Sequence, residues 1–186
     1  MGRNKLFERV DITDKALQVF WMKGFTDTSL KDLEVATGVF KPVLYSEFGD
    51  KEGLFIECVK YYREHYSSKL HLLKEPHGWK NIEDFLRSTY KNKVNKGCFE
   101  ASAFSRDVPI IPEKLKPLLD DGADKITIAI AENLMAAGVK KQKIESLTST
   151  IFTFYCGMSA LAFAQSRAKM ESRLNIILIQ IQELAK

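Results

Sequence analysis

The stretch that decides the fold is residues 29–48, SLKDLEVATGVFKPVLYSEF. Ser29 and the aspartate three residues later have the spacing of a capping box, which begins a helix. Gly38 interrupts this helix after about two turns, because glycine readily adopts the positive φ of a tight turn. A second short helix is predicted over residues 40–48, with Pro42 tolerated in its first turn. Two short helices joined in this way form a helix-turn-helix.

Helical periodicity continues on both sides of this stretch, and no segment is typical of a β-strand. An apolar stripe from Ile12 to Phe20 predicts a preceding helix that ends at Gly24. Asp50 is the predicted N-cap of a long fourth helix that runs towards Leu73. Further helical patterns lie at about 79–95, 113–137, 141–166 and 170–184. The predicted fold class is therefore all-α.

Composition excludes several other classes of protein. The chain has 186 residues, of which 45% are hydrophobic, but no apolar run is long enough to cross a membrane. Residues 1–15 lack the apolar stretch of a secretory signal, so we do not expect one. Three scattered cysteines are too few for a disulfide framework or a zinc knuckle, so we expect a cytoplasmic protein without metal or cofactor. The chain lacks a nucleophile elbow, a P-loop and a dinucleotide fingerprint, so we do not expect an enzyme.

Net charge is a weak guide to the partner of this protein. The formal charge is +4, yet residues 1–60 hold nine Lys and Arg against ten Asp and Glu. Any argument for nucleic acid must therefore rest on where particular cations lie. The exposed side of the predicted helix over residues 40–48 presents a cation, hydroxyls and apolar groups to a major groove. These residues are Phe40, Lys41, Val43, Tyr45 and Ser46.

Residues 9–60 resemble the DNA-binding domain of TetR/AcrR-type regulators. The matching stretches are ALQVFWMKGFTDTSLKDLEVATGV (16–39) and KPVLYSEFGDKEGLF (41–55), at a fixed separation. The resemblance implies an N-terminal three-helix helix-turn-helix domain, residues 1–50, and a larger C-terminal helical ligand-binding and dimerisation domain, residues 51–186. It also implies a DNA-binding transcriptional regulator of the repressor type, whose affinity for its operator is controlled by a small molecule bound in the C-terminal domain.

The resemblance also assigns roles to individual side chains. It implies phosphate contacts for Lys41, Tyr45 and Lys51, and for Thr26 or Thr28, whereas Val43 and Ser46 face base edges. The candidate DNA-binding residues are Thr26, Thr28, Phe40, Lys41, Pro42, Val43, Tyr45, Ser46 and Lys51. Two positions depart from the family pattern, which most often has a small polar residue in place of Phe40 and often alanine in place of Glu34. Phe40 either meets a thymine methyl or covers the helix junction.

The last two helical segments carry more apolar surface than one side of a small domain buries, which predicts a homodimer. The candidate interface residues are Ile151, Tyr155, Met158, Leu174, Ile177, Leu178 and Ile181. In the resembling family these two helices form a four-helix dimer interface. A twofold dimer places two recognition helices on a pseudo-palindromic double-stranded operator.

A ligand pocket is expected among the helices of the C-terminal domain. Its candidate lining residues are Phe85, Tyr90, Cys98, Phe99, Phe104, Phe152 and Phe163, with ordinary core as the alternative for each. The short segment at Cys98 is similar to one in family members that respond to electrophiles, and a small buried thiol is the alternative.

Two other functions stay open at this point. One is an all-helical enzyme or small-molecule carrier. The other is a helical dimer that binds small molecules or acts as an adaptor without binding DNA, in which case no salt-dependent affinity for a duplex is expected.

Overall fold

The computed structural model describes residues 8–91, 98–99, 113 and 116–186, with the backbone alone at 118–120. Within these ranges the protein has eight α-helices, one short 3₁₀ helix and no β-strand, which confirms the all-α prediction. The α-helices are α1 (Arg9–Lys23), α2 (Leu30–Thr37), α3 (Lys41–Phe48), α4 (Lys51–His65), α5 (Trp79–Lys91), α6 (Lys116–Ala136), α7 (Lys141–Leu161) and α8 (Arg167–Ala185), and the 3₁₀ helix is Ser68–His71. Among these helices, none combines the length and apolarity that a membrane span requires.

The described residues pack as two compact units, the first with residues 8–66 and 113 and the second with residues 67–91, 98–99 and 116–186. The sequence-based expectation that α4 continues towards Leu73 is wrong, since α4 ends at His65. Tyr66 leaves the helical conformation (φ −126°, ψ −11°), and the Ser67 hydroxyl then accepts a hydrogen bond from a backbone N–H of the 3₁₀ helix. Helix α4 packs with α1 and α3 in the first unit. The functional division expected after residue 50 stays a prediction.

Aromatic side chains hold α1 and α4 together in the first unit. Phe20 and Phe55 meet edge to face with ring centres 5.0 Å apart, and Phe25 lies 5.1 Å from Phe55. Trp21 and Tyr62 make a second edge-to-face pair at 5.2 Å. Such pairs contribute about 0.5–1.5 kcal/mol each beyond the burial of their area. The two long helices therefore form a rigid base for α2 and α3.

Helix α5 is the centre of the second unit and packs against α6, α7 and α8. On α5, Phe85 stacks on Tyr155 of α7 with ring centres 4.3 Å apart. Tyr90 donates a hydrogen bond of 2.7 Å from its hydroxyl to the carboxylate of Glu171 on α8, and Arg87 contacts the same carboxylate. Apolar stacking and a part-buried polar link thus join three helices of this unit.

Candidate nucleic-acid interface

A capping box begins helix α2, as the sequence predicts. The Asp32 backbone N–H donates to the Ser29 hydroxyl at 3.1 Å, and the Ser29 backbone N–H donates to the Asp32 carboxylate at 2.9 Å. Lys23, at the end of α1, lies 2.7 Å from the same carboxylate. Hydrogen bonds from Lys23 and then from Ser29 hold the pKa of the Asp32 carboxyl well below its usual range. The start of α2 is thereby tied to the end of α1.

The turn between α2 and α3 uses the glycine that the sequence indicates. Gly38 adopts the left-handed conformation (φ 72°, ψ 15°), and its N–H donates to the Glu34 carbonyl at 2.9 Å. Thr37 has a role that the sequence analysis missed: its buried hydroxyl donates to the Leu33 carbonyl at 2.7 Å and accepts from the Val39 N–H at 3.2 Å. The sequence signal for these two hydrogen bonds is a threonine directly before the turn glycine. A threonine hydroxyl can bond to nearby backbone groups in place of the backbone partners that a helix provides.

Helix α3 has one buried face and one open face. Leu44 and Phe48 are buried in the first unit. Tyr45 is 37% exposed and Phe40 is 76% exposed. The exposed side chains of the open face are Phe40, Lys41, Pro42, Val43, Tyr45 and Ser46. This face has the mixture of cation, hydroxyl and apolar groups that can contact phosphates and base edges.

Charged side chains from other helices contact both ends of α3. At its N-terminus the Glu34 carboxylate, on α2, accepts a hydrogen bond of 2.6 Å from the Lys41 backbone N–H. At its C-terminus the Arg9 guanidinium, on α1, donates to the Glu47 carbonyl and lies over the Phe48 ring. An anion at the N-terminus and a cation at the C-terminus both interact favourably with the helix dipole and so stabilise the helix. The N-terminus of α3 is therefore bonded to α2 and its C-terminus to α1.

Four of the predicted phosphate-contacting residues form two close pairs. The Lys41 ammonium is 5.1 Å from the centre of the Tyr45 ring. The Lys51 ammonium is 4.6 Å from the centre of the Phe25 ring and donates to the Thr26 carbonyl at 3.4 Å, so the fold brings Lys51 and the exposed Thr26 together. Thr28 is different. Its side chain is buried, and its hydroxyl donates to the Gly24 carbonyl at 2.6 Å.

The junction between α3 and α4 requires a glycine that the sequence analysis also missed. A Cβ added to Gly53 would lie 2.0 Å from the Phe48 carbonyl oxygen, a backbone atom that cannot rotate away. The Gly53 N–H donates to the Asp50 carboxylate at 2.6 Å, which confirms Asp50 as the cap of α4. The close approach of the two helices leaves room only for hydrogen at this position.

Most candidate ligand-contacting residues lie inside the second unit. Phe85, Tyr90, Cys98 and Phe99 are buried, Phe152 is half-buried, and Phe163 is exposed. Phe104 lies outside the described residues. The Tyr155 hydroxyl donates to the Cys98 sulfur at 3.1 Å. The fold thus brings Cys98 to Tyr155 and, through ring stacking, to Phe85.

The candidate dimer residues mostly face the core of their own unit. Ile151, Tyr155, Met158, Leu174, Leu178 and Ile181 are buried, and Ile177 is half-buried. Their helical spacing is also the one that a helix needs to cover its own core, and their contact with a second subunit stays a prediction. A different surface of α7 and α8 is open to a partner. It forms a groove of about 420 Å³, here called the apolar groove, lined by Thr153, Phe154, Gly157, Met158, Leu161, Arg173, Ile176 and Ile177.

A tight glycine turn followed by a short helix with an open polar and apolar face defines a helix-turn-helix protein. Residues 12–58 match the family described as bacterial regulatory proteins, tetR family. This match lies within the segment from α1 to α4, which holds the helix-turn-helix.

Two curated relatives cover different lengths of the chain. The HTH-type transcriptional repressor ComR of Escherichia coli is 46% identical over 68 residues, which are 37% of this chain and 32% of ComR. The uncharacterized HTH-type transcriptional regulator YezE of Bacillus subtilis is 30% identical over 121 residues, 61% of each protein. The chain therefore spans less than two thirds of the length of either relative.

Solved structures match over nearly the whole chain. A cysteine variant of the TetR family transcriptional regulator CifR, complexed with a 26-base-pair operator DNA, superposes with a TM-score of 0.77 at 23% identity, covering 95% of this chain and 98% of CifR. The reduced form of NemR from E. coli gives a TM-score of 0.74 at 18% identity, covering 95% and 96%. At these identities the likeness establishes the fold.

Proposed function

We propose that this protein is a transcriptional repressor that binds a pseudo-palindromic operator as a homodimer and responds to a small molecule in its second unit. The observation that carries the proposal is the open face of α3, where Lys41, Val43 and Tyr45 are exposed beside the Gly38 turn while Leu44 is buried. A buried α3 face would leave no surface for a duplex. The family match of residues 12–58 and the operator complex of CifR support the same function.

We assign roles on this face from chemistry and exposure. Lys41 and Tyr45 contact phosphate oxygens, and Lys51 does so together with the hydroxyl of the exposed Thr26. Thr26 is preferred over Thr28, because the Thr28 hydroxyl already donates to a backbone carbonyl inside the first unit.

Four apolar or small residues complete the face. Val43 and Ser46 approach base edges, and the exposed ring of Phe40 contacts thymine methyl groups. Pro42 is also exposed and contributes contact area beside them.

The proposed dimer uses the apolar groove and its surroundings. Ile176 and Ile179 are 57% and 60% exposed on α8, although both are large aliphatic side chains. Gly157, on the opposite wall, has no atom within 4 Å of the place where a Cβ would stand, so a partner helix has room to approach closely. Contiguous exposed apolar surface of this kind is typical of an interface.

The proposed effector site lies among the buried aromatic residues beside Cys98. Phe85, Tyr90 and Phe99 supply apolar walls, and the Tyr155 hydroxyl and the Cys98 thiol supply polar groups. A thermal-shift screen with aromatic, dye-like and electrophilic compounds tests this site. An effector is expected to raise the melting temperature and to release DNA. Compounds that stabilise the protein without any effect on DNA binding would contradict the regulatory role.

The experiment that tests DNA binding is selection from a pool of random 30-base-pair duplexes by the purified protein. We expect a pseudo-palindromic sequence to be enriched, and the double variant Lys41→Ala/Tyr45→Ala to enrich none. A duplicate selection with Lys60→Ala, an exposed lysine of α4 that pairs with Glu57, controls for the loss of a positive charge. No enrichment by the wild type, or equal enrichment by the double variant, would overturn the proposal.

A further inference from the structure

The recognition helix α3 begins without a capping side chain of its own. Hydroxyl or carboxylate side chains cap other helices of this chain, namely Ser29 for α2, Asp50 for α4 and Ser166 for α8. The residue in the same position before α3 is Phe40, whose ring has no hydrogen-bond acceptor. An N-terminus without an acceptor is ordinarily a weak point, because the first N–H groups of a helix have no partner within it.

Glu34, a residue of the preceding helix, supplies the missing acceptor. Its carboxylate Oε1 lies 2.6 Å from the backbone nitrogen of Lys41, seven residues further along the chain. The bond crosses the Gly38 turn and joins the last turn of α2 to the first residue of α3. The acceptor also carries a negative charge at the positive end of the α3 dipole, which strengthens the contact.

The remaining donors of the first turn are accounted for. Pro42 has no N–H, so no donor is left without a partner at that position. The N–H groups of Val43 and Leu44 both donate to the Phe40 carbonyl, at 2.9 and 3.2 Å. Lys41 is therefore the residue of this turn whose N–H depends on a side chain, and that side chain belongs to Glu34.

We propose that Glu34 is a positioning residue for DNA recognition, which caps α3 from α2 and so sets the angle at which the recognition helix meets the duplex. This inference rests on the proposed function. Because Glu34 takes over the cap, position 40 is free to carry an exposed aromatic ring instead of a capping hydroxyl. The same carboxylate occupies the N-terminus of α3, so phosphates are contacted by the side chains of Lys41, Tyr45 and Lys51 and not by this helix end.

The test compares four variants of the full chain: Glu34→Ala, Glu34→Gln, Phe40→Ser and the double variant Glu34→Ala/Phe40→Ser. Glutamine keeps an acceptor oxygen and loses the charge, and serine restores a local cap. Asp11→Ala, which removes an exposed carboxylate from α1, is the matched control. Two quantities are measured: hydrogen exchange of the Lys41 amide in the absence of DNA, and affinity for a 30-base-pair duplex selected by the wild type from a random pool.

We expect Glu34→Ala to speed exchange of the Lys41 amide by about tenfold and to weaken duplex binding roughly fivefold, the size of effect that loss of an N-cap produces. Glu34→Gln is expected to keep amide protection within about twofold and to bind at least as tightly as the wild type. Adding Phe40→Ser to Glu34→Ala is expected to recover most of the protection of the Lys41 amide. Because Phe40→Ser by itself removes the proposed thymine contact, the double variant is expected to bind the duplex within about twofold of Phe40→Ser alone.

The two measurements separate failure of this inference from failure of the proposed function. Unchanged exchange in Glu34→Ala, or a Glu34→Gln variant as impaired as Glu34→Ala, would overturn the capping role whether or not DNA binds. Altered exchange with unaltered affinity would overturn the positioning role. A wild-type protein that selects no duplex would refute the proposed function, and with it the positioning role, while the exchange data would still decide the cap.

Discussion

The guanidinium of Arg9 lies 4.4 Å from the centre of the Phe48 ring and donates a hydrogen bond to the Glu47 carbonyl at the end of α3. It is also 3.5 Å from the Glu57 carboxylate on α4, so a side chain of α1 contacts two other helices. A cation at this end of α3 interacts favourably with the negative end of the helix dipole. Arg9 thus stabilises the C-terminus of the recognition helix in the way that Glu34 stabilises its N-terminus.

Arg9→Ala is expected to destabilise the protein by about 1 kcal/mol, because it removes a helix-end cation and a cation–π contact at a half-exposed site. Chemical denaturation followed by circular dichroism measures the change. Lys15→Ala, which removes an exposed ion pair on the same helix, is the control and is expected to cost less than about 0.5 kcal/mol. Equal effects of the two substitutions would show that Arg9 is an ordinary surface cation.

Gly53→Ala tests the close approach of α3 and α4, because the two relevant physical effects predict opposite changes in the free energy of unfolding. Helix propensity alone predicts that alanine stabilises a helix by up to about 1 kcal/mol relative to glycine. The Phe48 carbonyl oxygen, 2.0 Å from the added Cβ, predicts the opposite, a loss of roughly 1–3 kcal/mol as the backbone shifts. A melting temperature equal to or above that of the wild type would contradict the packing of this junction.

The pKa of Tyr90 gives a prediction about pH in the second unit. Burial, reinforced by the hydrogen bond to Glu171, raises the pKa of the Tyr90 phenol to about 12. Since the folded state favours the neutral phenol, its contribution to stability is complete below pH ~10 and is lost as the pH rises through about 12. Tyrosine ring carbon shifts in an NMR titration, assigned with Tyr90→Phe, measure this value. A pKa near 10 would refute the part-buried link between α5 and α8.

The state of association tests the apolar groove as the dimer contact. Ile176→Asp places a charge in the lining of the apolar groove and is expected to shift the protein from dimer to monomer, because an interface cannot bury an unpaired carboxylate without a large cost. Ile128→Asp on α6 is a closely matched control, since Ile128 and Ile176 are 58% and 57% exposed. Sedimentation velocity distinguishes the two states. A monomeric wild type, or an Ile176→Asp variant that stays dimeric, would contradict the assignment.

The helix-turn-helix was predictable because its signals are local. Ser29 caps the helix that begins directly after it, and Gly38 adopts the left-handed conformation of the turn that it forms. Both features depend on residues that are close in sequence. The roles of Glu34, Arg9 and Gly53 were not predictable, because each depends on an atom of another helix that comes close only in the folded chain.

The apolar stripes of α7 and α8 show a second limit of sequence reasoning. Periodicity identified an apolar face that includes Ile151 and Leu174, but it could not distinguish a face that covers the chain's own core from one that meets a partner. Burial within the unit now assigns these two residues to the core and leaves Ile176 outside. Periodicity also gave the wrong end for α4, because the apolar pattern continues towards Leu73. In the structure α4 ends at His65, and Ser67 caps the 3₁₀ helix that follows.

The most direct test of the central claim, that the open face of α3 binds duplex DNA, is the salt dependence of affinity for a selected duplex. The slope of log K against log salt is negative, and each lost phosphate contact reduces its magnitude by about 0.9. In the proposed dimer Lys41→Ala removes one phosphate contact from each subunit, so we expect it to weaken binding and to reduce the magnitude of the slope by about two, with Lys60→Ala leaving both unchanged. Slopes that are the same for wild type, Lys41→Ala and Lys60→Ala would contradict the claim that this face meets the phosphates.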